Sequence, residues 1–411
     1  MSSQSADEQD PCVVVGAGPV GLTAAVALAG KGLPVLVLEA EPQDRLRTGS
    51  RAIAFLIPTV NRWEKIRPGM GDSIAEAGNV LAGGEAYYGD KRVFTIRVNP
   101  VLSKHFARTL SQKKVEAILY AEAIKLGVEF RWATPVTGVT THSDGVTIEL
   151  ESGEQINTPY LIAADGARSV VRKALGITME GHTDPTPFII VDVDEHPDGS
   201  TPLKSIFFQY NRPELDGRNV MYMPFAGGMR VDLQCKPSDD AEYLSSPEGV
   251  REWVGKVVDP WYAEHIQWIS MYRFHQVVAD TYTDPHRRVI LAGEAAHLFA
   301  PWGGRGLNSG VFDATDAATA IAEALRAPDR EQARKVIERC ATDRRDWGLR
   351  NRAVSSAGLR RMRGADQLTR VQRTIAAHLA PVVWPAGFWL ANGGVQLKLP
   401  RLRASKSSLF Y

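Results

Sequence analysis

Cysteine is scarce in this chain, and long apolar runs are missing from it. The 411 residues include three cysteines, Cys12, Cys235 and Cys340, which are odd in number and far apart. This usage argues against a disulfide framework and is typical of a reducing compartment, so we expect a cytoplasmic protein. The polar first ten residues lack the apolar core of a signal peptide, and no apolar run is clean enough for a membrane-spanning helix.

Net charge is also small. A formal charge of +1 gives no overall attraction to nucleic acid or to anionic membranes. The distribution is uneven, because residues 344–411 contain thirteen Lys or Arg against two Asp, a net +11 that leaves −10 on the rest. The composition, 44% hydrophobic and 23% charged, is typical of a globular protein long enough for two or more domains.

The clearest motif is a glycine turn between two apolar β runs. Gly16, Gly18 and Gly21 follow the first run, a helix is expected next, and the second run ends on Glu39. Such glycines allow a tight turn, leave room for a pyrophosphate and let the helix pack closely, while an acid at the second strand tip can bind ribose hydroxyls. The pattern predicts a dinucleotide site, with an ordinary βαβ turn as the alternative.

Strand and helix patterns organise the middle of the chain. A helix is predicted over 111–126, where Gln112 could bond a polyol, although a solvated side chain is the simpler interpretation. Alternation over 128–164 predicts an antiparallel meander that ends in an apolar strand before Asp165-Gly166. The pattern over 181–285 predicts a separate sheet. Its polar and aromatic side chains suit a pocket for a flat ligand with an acidic group, and these side chains are Tyr210, Tyr222, Arg230, Trp268, Tyr272 and His275.

Two further stretches are rich in glycine or in aromatic residues. Gly293-Glu294-Ala-Ala-His297 follows a short apolar strand, and a second glycine cluster around Gly306 precedes an alanine-rich helix whose N-terminus can face an anionic or flat ligand. We interpret His297 as a structural residue that bonds backbone. The aromatic stretch 374–397 is interpreted as a helical cap on the first domain rather than a membrane-surface patch.

Together the three motifs resemble those of the single-component FAD-dependent aromatic hydroxylases, the para-hydroxybenzoate hydroxylase class. The resemblance covers roughly residues 11–345 and rests on the first glycine turn with Glu39, the Asp165-Gly166 segment through Arg172, and the segment from Gly293 to Asn308. It implies an α/β fold with a Rossmann-like FAD-binding domain, an inserted mixed β-sheet substrate domain and a C-terminal helical tail. The implied limits are 11–80, 101–180 and 286–345 for the first, 81–100 and 181–285 for the second, and 346–411 for the tail.

The resemblance also implies site residues. The Leu307 and Asn308 amides would face the flavin pyrimidine edge, and Pro301 would line the space between flavin and substrate. Tyr222, Arg230 and Tyr272 are the candidate substrate contacts. The full set of implied cofactor contacts is Gly16, Gly18, Pro19, Gly21, Glu39, Ala40, Arg51, Gln112, Val136, Asp165, Gly293, Glu294, Pro301, Gly306, Leu307 and Asn308.

Two departures from the family pattern concern Glu294 and the C-terminus. Glu294 stands where the family usually has aspartate, so its carboxylate reaches one methylene further toward the ribityl chain. Larger relatives carry a C-terminal thioredoxin-like domain, whereas this chain has a short basic tail and resembles the compact members. No His/Cys/Asp spacing typical of a metal site occurs in the sequence.

The function that the resemblance implies is hydroxylation of a phenolic or otherwise activated aromatic compound. NADH or NADPH would reduce the FAD, and O2 would react through a flavin C4a-hydroperoxide. Two alternatives stay open: an FAD-dependent reductase or dehydrogenase of a lipid or isoprenoid, and a non-catalytic flavin-fold binding protein. A homodimer contact and a membrane contact, both through the C-terminal tail, are open as well.

Overall fold

The structure is a computed structural model that describes residues 10–44, 54–81, 83–97, 107–197, 205–364 and 366–391. Arg51, implied above as a cofactor contact, lies outside these residues, as does the end of the basic tail. In the described ranges the helices are α1 Pro19–Ala29, α2 Ile57–Ile66, α3 Met70–Ala77, α4 Gln112–Lys125, α5 Val170–Ala174, α6 Ala241–Ser245, α7 Pro247–Val254, α8 Arg305–Leu325, α9 Arg330–Arg363, α10 Gln367–Leu379 and α11 Trp384–Ala391.

A parallel sheet forms the centre of the first half. Its described strands are β1 Cys12–Val15, β2 Val35–Leu38, β8 Glu129–Arg131, β12 Leu161–Ala163 and β18 Val289–Leu291. They lie in the order β18-β12-β1-β2-β8, and each neighbouring pair is parallel. All but β8 are continuous apolar runs because both faces are covered, one by α1, α4 and α8 and the other by a smaller antiparallel sheet.

The smaller antiparallel sheet consists of β9 Val136–Thr141, β10 Val146–Leu150 and β11 Gln155–Thr158. Its two hairpin turns lie at the predicted positions, 144–145 and 152–153. The predicted meander over 128–164 is correct for these strands and wrong for β8 and β12, which join the parallel sheet instead. Short apolar runs at the two ends of the segment could not be assigned to a sheet by alternation alone. Three short strands, β3 Ala54–Phe55, β4 Asn79–Val80 and β7 Arg108–Thr109, form a further antiparallel sheet in the order β3-β7-β4.

A mixed sheet forms the second layer of the molecule. Its described strands are β5 Gly83–Tyr88, β6 Lys91–Arg97, β13 Met179–Asp194, β14 Ile206–Arg212, β15 Arg218–Phe225, β16 Gly228–Gln234, β17 Ile266–Ala279 and β19 His297–Leu298. They lie in the order β19-β17-β13-β16-β15-β14-β5-β6, and only the β14–β5 pair among them is parallel. The predicted α/β fold with an additional mixed sheet is therefore confirmed, whereas the exact domain limits stay a prediction.

Alternate residues of this mixed sheet face two different environments. The front face, which carries Phe188, Ile190, Phe208 and Met221, packs against Trp302 and helices α9 to α11. The back face, which carries Val191, Val231 and Leu233, packs against α7. Adjacent residues of one strand thus lie on opposite sides of the sheet.

The C-terminal helices cover the front face of the mixed sheet. Leu390 and Ala391 of α11 are buried there, and the Tyr210 hydroxyl donates a 2.9 Å hydrogen bond to the Leu390 carbonyl. The expectation of a helical cap is correct, but the cap packs on this sheet and not on the first domain. In the described part of the chain, no helix combines the length and apolar character needed to cross a bilayer.

Candidate flavin and substrate site

The first glycine turn is tightly packed and leaves a helix end open. Gly16 has φ +102°, and a Cβ there would lie 2.4 Å from the Ala164 carbonyl oxygen. A Cβ on Gly21 would lie 1.8 Å from the Gly16 carbonyl oxygen, so this glycine allows the helix to approach the turn itself. Gly18 is the N-cap of α1, and Pro19 is the first residue of the helix. Because Gly18 has no side chain that could cap the helix, the backbone N–H groups of the first turn stay available to a pyrophosphate.

Glu39 lies at the tip of β2, where it contacts the glycine turn. Its Oε2 accepts a 2.6 Å hydrogen bond from the Ala17 N–H and its Oε1 accepts one from the Glu41 N–H. The carboxylate is therefore held beside the turn in the position expected for a ribose ligand. Ala40 next to it is exposed, whereas Val136 at the start of β9 is buried in the core between the two sheets.

The second motif brings a buried, partly unbonded carboxylate to the tip of β12. Asp165 Oδ2 accepts a 3.1 Å hydrogen bond from the Val171 N–H, while Oδ1 has no hydrogen-bond partner among the described residues. Burial raises the pKa of Asp165. Gly166 beside it has φ +77°, and a Cβ on this glycine would meet no described atom within 4 Å. An unsatisfied buried acceptor with open space beside it fits a ligand that donates a hydroxyl.

The third motif, which begins at Gly293, is stabilised by an ionic cluster of Asp313, His297 and Arg344 that was not predicted from the sequence. Asp313 of α8 accepts hydrogen bonds from the Gly293 N–H at 3.2 Å and from His297 Nε2 at 2.7 Å. Its other oxygen accepts one from Arg344 Nε at 2.8 Å. His297 is thus structural, as expected, but its partner is the Asp313 carboxylate and not backbone. Glu294 is half-buried on the turn that this cluster holds.

The start of α8 provides a second open helix end. Gly304 is its N-cap with φ +61° and no side-chain cap, and a Cβ on Gly306 would meet no described atom within 4 Å. The first-turn N–H groups, including that of Leu307, have no carbonyl four residues back within the helix. This bare end fits a flat electron-rich ring edge, which is the contact that the resemblance implied.

The Asn308 side chain has a role that sequence reasoning missed. Its Oδ1 accepts hydrogen bonds from the Leu56 N–H and the Thr59 hydroxyl, at 2.9 and 2.6 Å. Its Nδ2 donates to the carbonyls of Ala54 and Gly304, at 3.0 and 2.7 Å. Asn308 therefore ties the start of α8 to the segment that leads into α2, which fixes the glycine cluster in place.

Gln112 and Pro301 lie at the edges of this region. Gln112 begins α4, and its Nε2 donates a 2.9 Å hydrogen bond to Glu116 Oε1. Pro301 is exposed, and the next residue, Trp302, is 2% exposed. The Trp302 ring centroid lies 6.0 Å from that of Phe188 and 6.5 Å from that of Phe208. Trp302 thus connects the proline turn to the front face of the mixed sheet, a contact not expected from the sequence.

The front face carries a buried cluster of one arginine and two aspartates. Arg230 Nε and Nη2 donate 2.8 Å hydrogen bonds to Asp192 Oδ1 and Oδ2, a bidentate pair. Asp232 lies two residues further along β16 and is 4% exposed, and its Oδ1 has no hydrogen-bond partner among the described residues. Burial raises the pKa of Asp232 to about 7, with Asp192 adding to the rise and Arg230 opposing it.

The candidate substrate residues are distributed over both faces. Arg230 lies on the front face, and its guanidinium carbon lies 6.0 Å from the Trp268 ring centroid. Tyr272 is half-buried on the same face. Tyr222 lies on the back face instead, where its hydroxyl donates to Gln209 and to the Val257 carbonyl. It lines a separate cavity of about 240 Å³ there, away from Arg230 and Tyr272, and its role as a substrate contact stays a prediction.

The two open helix ends and the Glu39 carboxylate beside the first glycine turn are the features expected of a dinucleotide-binding site. The family model described as "FAD binding domain" matches residues 9–345. The chain belongs to this FAD-binding family, and FAD is the cofactor that its three motifs fit.

Relatives and solved structures agree with this assignment. The chain is 29% identical over 388 residues to the para-nitrophenol 4-monooxygenase of a Pseudomonas species, which covers 88% of this chain and 90% of that protein. It is 29% identical to the rifampicin monooxygenase of Streptomyces venezuelae over 74% of this chain, and spans 62% of that relative's length. The crystal structure of p-nitrophenol 4-monooxygenase from Pseudomonas putida superposes with a TM-score of 0.73 at 27% identity, covering 95% of this chain and 99% of that one.

Proposed function

We propose that the protein is an FAD-dependent monooxygenase that hydroxylates a phenolic or otherwise activated aromatic compound, with NADH or NADPH and O2 as co-substrates. The observation that carries the proposal is the joining of the flavin motifs to the front face of the mixed sheet through Pro301 and Trp302. This face combines aromatic rings with buried polar groups, the composition of a small-molecule site. The monooxygenase names of the relatives support the same class of reaction.

FAD would be held by the three glycine motifs. The α1 N-terminus with Gly16 and Gly18 would bind the pyrophosphate, Glu39 the adenosine ribose, and the α8 N-terminus the flavin ring edge. Asp165 and Glu294, each at the tip of a strand, are proposed for the ribityl and phosphate region, and Gln112 for the polyol chain. When bound, the flavin supplies the redox chemistry, activating O2 after reduction by the nicotinamide cofactor.

The protein must orient the aromatic ring and keep water away from it. Trp302, Phe188 and Phe208 form an apolar lining, and Trp268 and Tyr272 extend it along β17. The Arg230–Asp192 pair provides a fixed polar end to this lining. Such an arrangement positions a flat ligand by ring contacts and reads its polar substituents at one end.

The two alternatives gain no support from these relatives, which are named for oxygen insertion. The cytoplasmic location, the homodimer and the domain limits stay predictions.

Anaerobic reduction of the purified holoenzyme by NADH and by NADPH, with and without phenols of different size, tests the proposal. We expect one class of phenol to accelerate flavin reduction, and admission of air to give a hydroxylated product. Fast reduction whatever compound is present, followed in air by hydrogen peroxide alone, would favour the reductase alternative. Protein that takes up no FAD on titration would favour the non-catalytic one.

A further inference from the structure

Two buried polar atoms on the front-face side of the mixed sheet lack hydrogen-bond partners among the described residues. Asp232 Oδ1 is an acceptor and Trp302 Nε1 is a donor, and neither has a hydrogen-bond partner among the described residues. Buried polar atoms are nearly always bonded, so each of these requires an explanation. Since an indole N–H and a carboxylate could satisfy each other, two orphans on one face indicate that a third group completes the site.

The sheet register shows that the two groups face the same region. The Trp302 ring packs against Phe188 of β13 and Phe208 of β14. Strands β16 and β15 lie between those two, and Met221 of β15 pairs with both Phe208 and Asp232. The neighbours of Asp232 on β16, Val231 and Leu233, face the back cluster, so Asp232 itself faces the front. The indole therefore covers the part of the sheet that carries Asp232.

The chemistry of the two orphans specifies the missing group. A carboxylate oxygen accepts and an indole N–H donates, so one oxygen that donates to the first and accepts from the second satisfies both. A hydroxyl group does this, whereas a carboxylate ligand cannot donate. The charge of the cluster also disfavours an acidic ligand. Arg230 is already paired with Asp192, so an ionised Asp232 leaves these three residues with a net negative charge. A neutral hydroxylated ligand fits this cluster better than the acidic one expected from the sequence.

We propose, resting on the monooxygenase function above, that Asp232 is the catalytic base that accepts the proton of a neutral phenol, and that the Trp302 N–H binds the resulting oxyanion. The O–H bond of the substrate breaks, its electron pair stays on the phenol oxygen, and a new O–H bond forms on Asp232 Oδ1. No electron is transferred in this step. After product release the proton passes to water, and the carboxylate is restored.

The groups around Asp232 suit a residue that gains and loses a proton near neutrality. Arg230 on its own strand and Asp192 on β13 are the charged groups that act on it, and their charges oppose each other. On β17, Tyr272 acts on Arg230, whose pKa it raises. Of the arginines on the covering helices, Arg363 is paired with Asp184 and Arg373 lies over the Tyr210 ring. A base poised near the working pH is the most effective in proton transfer.

Binding of 4-nitrophenol to the holoenzyme at pH 8, with proton uptake followed by a pH indicator, tests the proposal. Free Asp232 and the free probe are both mainly ionised at this pH, but in the complex they share one proton. We expect wild type to take up about one proton per probe bound. Asp232→Asn should take up almost none, because the amide is neutral and binds the phenolate directly. Trp302→Phe should keep the uptake but bind the probe about tenfold more weakly.

Asp216→Asn is the matched control. This aspartate is 84% exposed in the turn between β14 and β15, and its backbone has a left-handed φ of +51° that asparagine also adopts, so uptake and affinity should equal those of wild type. 4-Nitroanisole, which lacks the hydroxyl, should bind wild type at least about tenfold more weakly than 4-nitrophenol and should cause no proton uptake. In turnover with a phenol that is neutral at pH 7, Asp232→Asn should lower kcat by about 100-fold.

Equal proton uptake by wild type and Asp232→Asn would overturn the proposal, as would an unchanged affinity in Trp302→Phe or a wild type that binds no 4-nitrophenol. The result is separable from that of the proposed function. A wild type that takes up the proton but yields no hydroxylated product from any phenol would contradict the monooxygenase function and leave the assignment of Asp232 standing. Hydroxylation of a phenol by an enzyme whose proton uptake is the same in wild type and Asp232→Asn would support the monooxygenase function and overturn the assignment of Asp232.

Discussion

Asp313 and Asp232 are both buried carboxylates next to an arginine, yet their environments are opposite. Both Asp313 oxygens accept hydrogen bonds, and although burial alone would raise its pKa, Arg344 and His297 outweigh it and hold the pKa below its usual value. Asp232 has an unbonded oxygen, its arginine is engaged by Asp192, and its pKa is raised to about 7. Asp313 is thus a permanent anion that anchors the turn at Gly293, whereas Asp232 can exchange a proton.

Asp313→Asn should give the largest effect. The substitution leaves the buried Arg344 without its main counter-charge, which typically costs about 3–5 kcal/mol of unfolding free energy at neutral pH. Because a lowered pKa stabilises the fold only above the unfolded value, the loss should shrink below about pH 4. Denaturant unfolding at several pH values measures it, and a stable variant that retains FAD would show that the cluster is not an anchor.

Asp232→Asn should shift stability in the opposite direction. With a pKa raised from 3.8 to about 7, the wild-type carboxyl is neutral and stabilising at low pH, and this contribution is lost as the pH rises through 7. Removing the charge should therefore raise the free energy of unfolding at pH 8 by at most about 4 kcal/mol, and by little at pH 4. A variant destabilised at pH 8 would mean that Asp232 is an anchor like Asp313.

Arg230→Lys tests the role of the arginine that lies next to Asp232. Lysine keeps the charge but loses the bidentate geometry with Asp192, at a cost of about 2 kcal/mol. Substrate KM should rise less than about threefold, because the guanidinium orients Asp192 rather than binding an acidic substrate. A larger rise in KM, measured at unchanged kcat, would show that the Arg230 guanidinium itself contacts the substrate, as predicted from the sequence.

Tyr222→Phe should give the smallest effect. The change removes long hydrogen bonds, 3.2 Å to Gln209 and 3.3 Å to Val257, and should cost about 1 kcal/mol. Since Tyr222 lies on the back face, KM for the phenol should change by less than about twofold. Steady-state kinetics with thermal unfolding check both values, and a loss of activity comparable to that of Asp232→Asn would contradict the separation of the two faces.

The sequence predicted best those parts of the site whose residues all lie in one short segment of the chain. Gly16, Gly18 and Glu39 belong to a single βαβ unit, so their spacing is enough to define the turn and the acid beside it. Tyr222 and Arg230 were assigned together because both lie in predicted strands with pocket-forming side chains. Which face a strand residue occupies depends on its register with its neighbours, and a shift of one residue reverses it.

The buried clusters could not be predicted because their members come from distant elements. Asp313 lies on α8 and Arg344 on α9, and they meet only when those helices pack. Asp232 has no local signal, since an aspartate in an otherwise apolar strand is equally consistent with an edge or a turn. Trp302 has one local signal, because it is a large aromatic residue directly after the site proline Pro301.

The pairing of β17 with β19 has a consequence for folding. Val277 and Val278 pair with Leu298 and His297, and the Ala279 N–H donates a 2.8 Å hydrogen bond to the Ala296 carbonyl. The last strand edge of the mixed sheet is thus completed by the segment that ends the flavin turn. Unfolding of either layer breaks main-chain hydrogen bonds made by the other, so we expect the unfolding of the sheet and of the Gly293 turn to be coupled, and a ligand bound at either layer to stabilise both.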